Sequence, residues 1–136
     1  MRRVSGPAKG LVVGVTVLAA ALAGCSGQRP LNRVLEAGDR AMEARQYEAA
    51  LAEYREYVDR APSAVDVRAK LARTMLETGD TARAREQATI AFNVRPLNEE
   101  YADLLAEAMY AADEREALVD FLQRQVAERG RVSDYI

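Results

Sequence analysis

The stretch VDVRAKLARTMLETGDTARAREQATIAFNVRPLN, Val65 to Asn98, decides the fold because its spacing recurs on both sides of it. A step of 34 residues joins Ala50 to Ala84 and Pro62 to Pro96. The same step carries Ala37 to Leu71 to Leu105, Gly38 to Ala72 to Ala106, and Val58 to Phe92 to Val126, small or apolar at each place. A repeat of this length reads as stacked helical hairpins, since a single hairpin cannot bury its apolar face and its neighbours must cover it.

Composition agrees. Hydrophobic residues make up 49% of the 136 residues, but aromatics only 6%, with no Trp. An interior of Ala, Leu, Val and Met suits close helix packing, whereas strands draw on branched and aromatic residues. The fold class expected is all-α. All 21 acidic residues follow Cys25, while Arg2, Arg3 and Lys9 precede it. Residues 25–136 therefore carry 16 basic and 21 acidic groups, net −5. That charge argues against a nucleic-acid partner. One cysteine excludes an internal disulfide and a Cys-based zinc site. With no histidine, the commonest general base and metal ligand is missing. The acidic groups Asp113-Glu114-Glu116 and Glu99-Glu100-Asp103 match helix starts and solvated faces better than a carboxylate pair or a cation site. No catalytic residue, metal ligand or cofactor site is expected, and the chain does not read as an enzyme.

Helix ends fit the same register. Ser63 with Asp66, Asp80 after Gly79, Asn98 before Glu99 and Glu100, and Asp113 with Glu116 are expected N-termini, where short acceptors meet free N–H groups. Gly130 suits the position just past a helix C-terminus. Helices are predicted at 32–44, 47–60, 64–77, 81–94, 99–112 and 114–129, as hairpins 31–64, 65–98 and 99–130. Residues 131–136 form a tail in which Ser133-Asp134-Tyr135-Ile136 is expected to begin a further hairpin, Tyr135 standing one period after Tyr101.

Numbered from Leu31, Val65 and Glu99, the hairpins resemble the tetratricopeptide repeat. Gly38 and Ala72 stand at position 8, Ala50 and Ala84 at 20, Ala91 at 27, and Pro62 and Pro96 at 32. Small residues at 8, 20 and 27 let the two helices of a hairpin approach closely, and large neighbours fill the space beside them. The resemblance implies a right-handed solenoid of about three hairpins. The third departs from the pattern, with Leu118 at position 20, Gln125 at 27 and Gly130 at 32.

The amino terminus has a different character. Arg2, Arg3 and Lys9 precede Leu11 to Ala23, thirteen residues without a charge. Such a run is too short to span a bilayer, which needs ~20 apolar residues, but it suits a secretory signal. It ends in Leu22-Ala23-Gly24-Cys25, which resembles a bacterial lipobox. The resemblance implies cleavage after residue 24 and acylation of Cys25, with residues 25–30 as a short tether. Ser26, where an Asp would signal inner-membrane retention, favours the periplasmic side of the outer membrane.

The repeat resemblance also implies a concave binding surface made by the first helix of each hairpin. Its positions fall here on Leu35, Asp39, Met42, Arg73, Leu76, Asp103, Glu107 and Tyr110. Mixed charge around an apolar strip suits a peptide or helix of a partner protein. Arg73 and Tyr110 are the preferred anchors, because Arg and Tyr dominate interface hot spots. The acid at Asp39 would repel a C-terminal carboxylate. The expected function is a lipid-anchored scaffold or adaptor of the cell envelope, serving an assembly or secretion component. The alternative is a regulatory subunit of an envelope enzyme.

Overall fold

The computed structural model describes residues 27–133. The expected signal segment, the lipobox-like run ending in Cys25, and Asp134 to Ile136 lie outside them. Six helices follow in order among the described residues: α1 (Leu31–Glu43), α2 (Tyr47–Arg60), α3 (Val65–Glu77), α4 (Thr81–Val94), α5 (Glu99–Ala111) and α6 (Arg115–Ser133). Each packs on the next, and α3 also meets α5, so the hairpins stack in chain order as a solenoid.

Each hairpin turns in the same way. Arg45, Gly79 and Asp113 all take positive φ, 56°, 78° and 60°, and stand one period apart. The N–H of the residue after each reaches back to the helix: Gln46 to the Ala41 carbonyl at 2.8 Å, Asp80 to Met75 at 2.9 Å, Glu114 to Met109 at 3.0 Å. A second bond runs from Arg45, Gly79 and Asp113 to the carbonyls of Met42, Leu76 and Tyr110, each 3.0 Å. These are Schellman motifs, which satisfy the last carbonyls of a helix by a left-handed residue. Only Gly79 takes that conformation without a steric cost.

The connections between hairpins use proline. Ala64 donates to the Ala61 carbonyl and Asn98 to that of Arg95, both at 3.0 Å, closing a turn around Pro62 and around Pro96. Proline presets the backbone for such a turn and cannot continue the helix before it. Asp80 and Asn98 cap α4 and α5, accepting from the N–H groups of Arg83 and Tyr101. Pro30 precedes α1, its carbonyl taking the N–H groups of Arg33 and Val34.

Three expected helix ends are corrected. Ser63 does not cap α3: it is held in the Pro62 turn and its carbonyl accepts from Val65, while Ala64 takes the cap position without a side-chain bond. Asp113 does not cap α6, because its left-handed backbone belongs to the preceding turn and its carboxylate pairs with Arg115. Gly130 does not end α6, which runs on to Ser133 and so past the expected limit of the third hairpin. Ser133 is accordingly part of α6 rather than the opening of a further hairpin.

Two apolar clusters fill the stack. The first joins Ala50, Leu51, Tyr54 and Val58 of α2 to Val67, Leu71 and Met75 of α3. The second joins Ala88 and Ala91 of α4 to Tyr101, Leu104, Leu105 and Met109 of α5 and Phe121 of α6. Full burial of a side chain the size of Leu104 contributes about 1.5–3 kcal/mol. Phe92 and Phe121 meet edge to face, centroids 5.2 Å apart, tying α4 to α6. The alanines expected at close-approach positions, Ala72, Ala84 and Ala91, are completely buried. At Gly38 the approach is tighter still: a methyl group there would lie 2.6 Å from the Tyr54 ring.

Candidate partner-binding surface

The first helices of successive hairpins lie side by side, and polar side chains join them. Asp39 on α1 is the centre of the first junction. Its Oδ1 accepts from the Tyr54 hydroxyl at 2.7 Å and from Lys70 Nζ on α3, also at 2.7 Å. Burial, and then the bond to Asp39, push the Tyr54 hydroxyl well above the ordinary phenol range. It therefore remains a neutral donor. At the next junction Arg73 on α3 donates to Glu100 on α5 at 3.0 Å.

Around the first junction α1, α2 and α3 enclose a hollow of about 290 Å³, lined by Asp39, Met42, Glu43, Tyr54, Lys70 and Arg73. Met42 supplies an apolar floor, its sulfur facing the Thr74 hydroxyl at 3.3 Å. Thr74 is itself completely buried and donates to the Lys70 carbonyl at 2.8 Å, so no unsatisfied group lies beneath. Such a hollow offers methionine surface flanked by two cations and two carboxylates, suited to a side chain with an apolar stem and a charged or amide head.

Of the eight residues expected on the binding surface, Asp39, Met42 and Arg73 meet in this hollow. Leu35 and Leu76 are half-buried and pack on the apolar clusters, so they support the surface more than they present it. Asp103 lies instead in a trough between α5 and α6. Glu107 and Tyr110 are exposed on α5. Lys70, Tyr54 and Glu43 belong to the hollow and were not expected there. Lys70 had a visible signal, as the single lysine after Lys9, one helical turn before Arg73. The acidic clusters are dispersed among separate arginines: Glu99 with Arg129, Glu100 with Arg73, Asp113 with Arg115, Glu114 with Arg85. Among the described residues no group of His, Cys, Asp and Glu is placed to hold a metal ion. No helix among them is long and apolar enough to cross a membrane.

This architecture has known counterparts. A family model, Tetratricopeptide repeat, matches residues 41–117, more than half of the chain. The crystal structure of MamA protein superposes with a TM-score of 0.65 at 24% identity, over 71% of this chain and 53% of that one. The chain thus spans about half the length of that protein, and the likeness is one of fold. Comparison with curated protein sequences finds no match. The chain belongs to the tetratricopeptide-repeat family. Its stacked hairpins form an interaction scaffold, a body that presents side chains to other proteins.

Proposed function

We propose that this chain is a lipid-anchored adaptor of the bacterial envelope, which holds one partner protein on the surface formed by α1, α3 and α5. The observation that carries the reading is the hollow at the α1–α3 junction, where Lys70 and Arg73 stand beside Met42 over a base whose buried polar side chains are all hydrogen-bonded. A partner segment gains burial on the methionine, while the charges set its register.

The anchor rests on Leu22-Ala23-Gly24-Cys25. Arg29, near it in sequence, is already fastened to the repeat array, donating to Glu53 at 2.8 Å and Glu56 at 2.6 Å on α2. The link from Cys25 to Arg29 thus spans at most roughly 14 Å, at ~3.6 Å per residue. An acylated Cys25 would hold the domain close against the lipid surface.

Crosslinking in intact cells followed by affinity capture tests both parts. The parent chain is expected to capture an envelope protein that Arg73→Ala/Tyr110→Ala loses, with the variant folding as the parent does. Undiminished capture by that variant would refute the binding surface. Cys25→Ser is expected to move the chain out of the membrane fraction, and an unchanged fractionation would refute the anchor.

A further inference from the structure

Most of the charge around the hollow at the α1–α3 junction is already answered. Lys70 Nζ lies 2.7 Å from Asp39 Oδ1, and Arg73 pairs with Glu100 at 3.0 Å. Glu43, on the same wall, enters no hydrogen bond or ion pair among the described residues. Both bonds to Asp39 fall on Oδ1, which leaves Oδ2 an open acceptor. Glu43 follows Asp39 by four residues, so the two carboxylates share one face of α1 with Cβ atoms roughly 5–6 Å apart, a spacing at which like charges repel. The Glu43 charge reaches the centre of the hollow: after burial and the bond to Asp39, it also helps to hold the Tyr54 hydroxyl protonated. One period on, the same two places hold Arg73 and Glu77, which are of opposite sign. The double acid belongs to the first hairpin alone.

The chain itself shows what satisfies such a pair. Glu53 and Glu56 stand one turn apart on α2, and Arg29, from outside that helix, bridges them at 2.8 Å and 2.6 Å. A guanidinium can do this because its rigid fork of donors reaches two acceptors at once. Met42 lines the hollow beside the two acids and offers apolar surface to an arginine stem. A volume of about 290 Å³ holds one long side chain and lies at the lower edge of what a small-molecule ligand needs. Lys70 and Arg73 could draw an acidic head instead. Each is engaged by an acid, however, and Asp39, Glu43 and Glu100 outnumber them.

We propose, resting on the reading of this surface as the partner's seat, that the hollow receives an arginine side chain of the partner protein. Its methylenes lie on Met42, its guanidinium is shared by Asp39 and Glu43, and Glu43 is the residue that selects it.

The Met42 methyl group reports the event. The full-length chain, isotopically labelled at its methionine methyls and held in lipid nanodiscs, is titrated at low salt with acetylated pentapeptides that carry Arg, Gln or Glu between pairs of glycines. The Met42 signal, assigned by its loss in Met42→Leu, is expected to shift saturably with the arginine peptide, which binds about fivefold or more tighter than the other two. Glu43→Gln should remove most of that preference, and Glu43→Lys should turn it toward the glutamate peptide. Glu77→Gln, the matching change one period on, should leave it intact. Glu43 and Glu77 are both exposed, so unchanged melting temperatures show that these variants keep the fold. An arginine peptide bound no tighter than the glutamine one, or bound equally by Glu43→Gln, would overturn the proposal. So would tighter binding of the glutamate peptide, since Lys70 and Arg73 would then be the readers. Failure of the adaptor reading looks different: the Met42 signal selects arginine, yet no envelope protein is captured in cells. Capture that is lost in Arg73→Ala/Tyr110→Ala, with a Met42 signal indifferent to arginine, would sink the arginine pocket and leave the adaptor reading standing.

Discussion

Replacing Gly38 by alanine and, separately, Gly130 by alanine puts the same methyl group into two helices with opposite surroundings. In α6 the added Cβ at Gly130 meets nothing within 4 Å, so the gain in helix propensity, about 1 kcal/mol at most, stands alone. In α1 the Cβ at Gly38 would lie 2.6 Å and 2.9 Å from two ring carbons of Tyr54, where an unstrained carbon contact needs about 3.5 Å or more. The ring has little freedom to yield: Tyr54 is 1% exposed and its hydroxyl is held by Asp39. The helices must separate instead, at an overpacking cost of about 1–3 kcal/mol. Because the propensity gain is shared, the difference between the two variants isolates that cost. Urea denaturation followed by circular dichroism should place Gly38→Ala about 1–3 kcal/mol below Gly130→Ala, with unchanged slopes. At roughly 4–8 °C per kcal/mol for a domain near 100 residues, the melting temperatures should also separate clearly. Adding Tyr54→Leu should bring the two alanine substitutions closer together. If Gly38→Ala proved as favourable as Gly130→Ala, the close approach of α1 to Tyr54 would be refuted.

The hairpin turns give an ordered series by the same method. Gly79→Ala should cost about 1–2 kcal/mol, and Arg45→Gly should gain about 0.5–1 kcal/mol, because a left-handed residue with a Cβ is strained and glycine is not. Ala84→Leu should lose about 1–3 kcal/mol, since Ala84 is completely buried between helices; equal stability would undo the assigned register. Stability should fall as pH rises from about 10 to 12: Tyr101, pushed up to about 12 by burial and by its bond to Asp66, stays protonated while the unfolded chain ionises. Tyr101→Phe should flatten that fall in a chemical denaturation series. At the acid end, Tyr101 and Arg95 hold the Asp66 carboxyl below its usual range, so its contribution is present above about pH 4 and lost as pH falls further. Asp66→Asn should shrink that acid loss.

The six helices were legible because their apolar period and their proline and glycine punctuation agree. Pro62, Pro96 and Gly79 each mark a chain reversal found in the structure. What escaped a linear reading was conformation imposed by register. Arg45 and Asp113 take a glycine's backbone because each stands one period from Gly79, where the motif needs a left-handed residue whatever its side chain. Ser63 has the chemistry of a cap but follows Pro62, and the turn uses it first. Gly130 has the chemistry of a stop, yet α6 continues, as helix propensity tolerates one glycine at modest cost. At the α1–α3 hollow, the repeat resemblance points to Asp39, Met42 and Arg73. It could not show that Asp39 is shared by Tyr54 and Lys70, since those partners come from two other helices.

Stacking in chain order also shapes how the molecule forms. Every helix among the described residues packs on its immediate neighbours, with α3 and α5 the one farther pair of comparable extent, so native contacts close loops of about one repeat. Short loops cost little closure entropy, and chains rich in local contacts reach the native state fast. Any hairpin can start the process and hand an ordered surface to the next. The array is thus expected to assemble by growth along its length, each ordered hairpin templating the next.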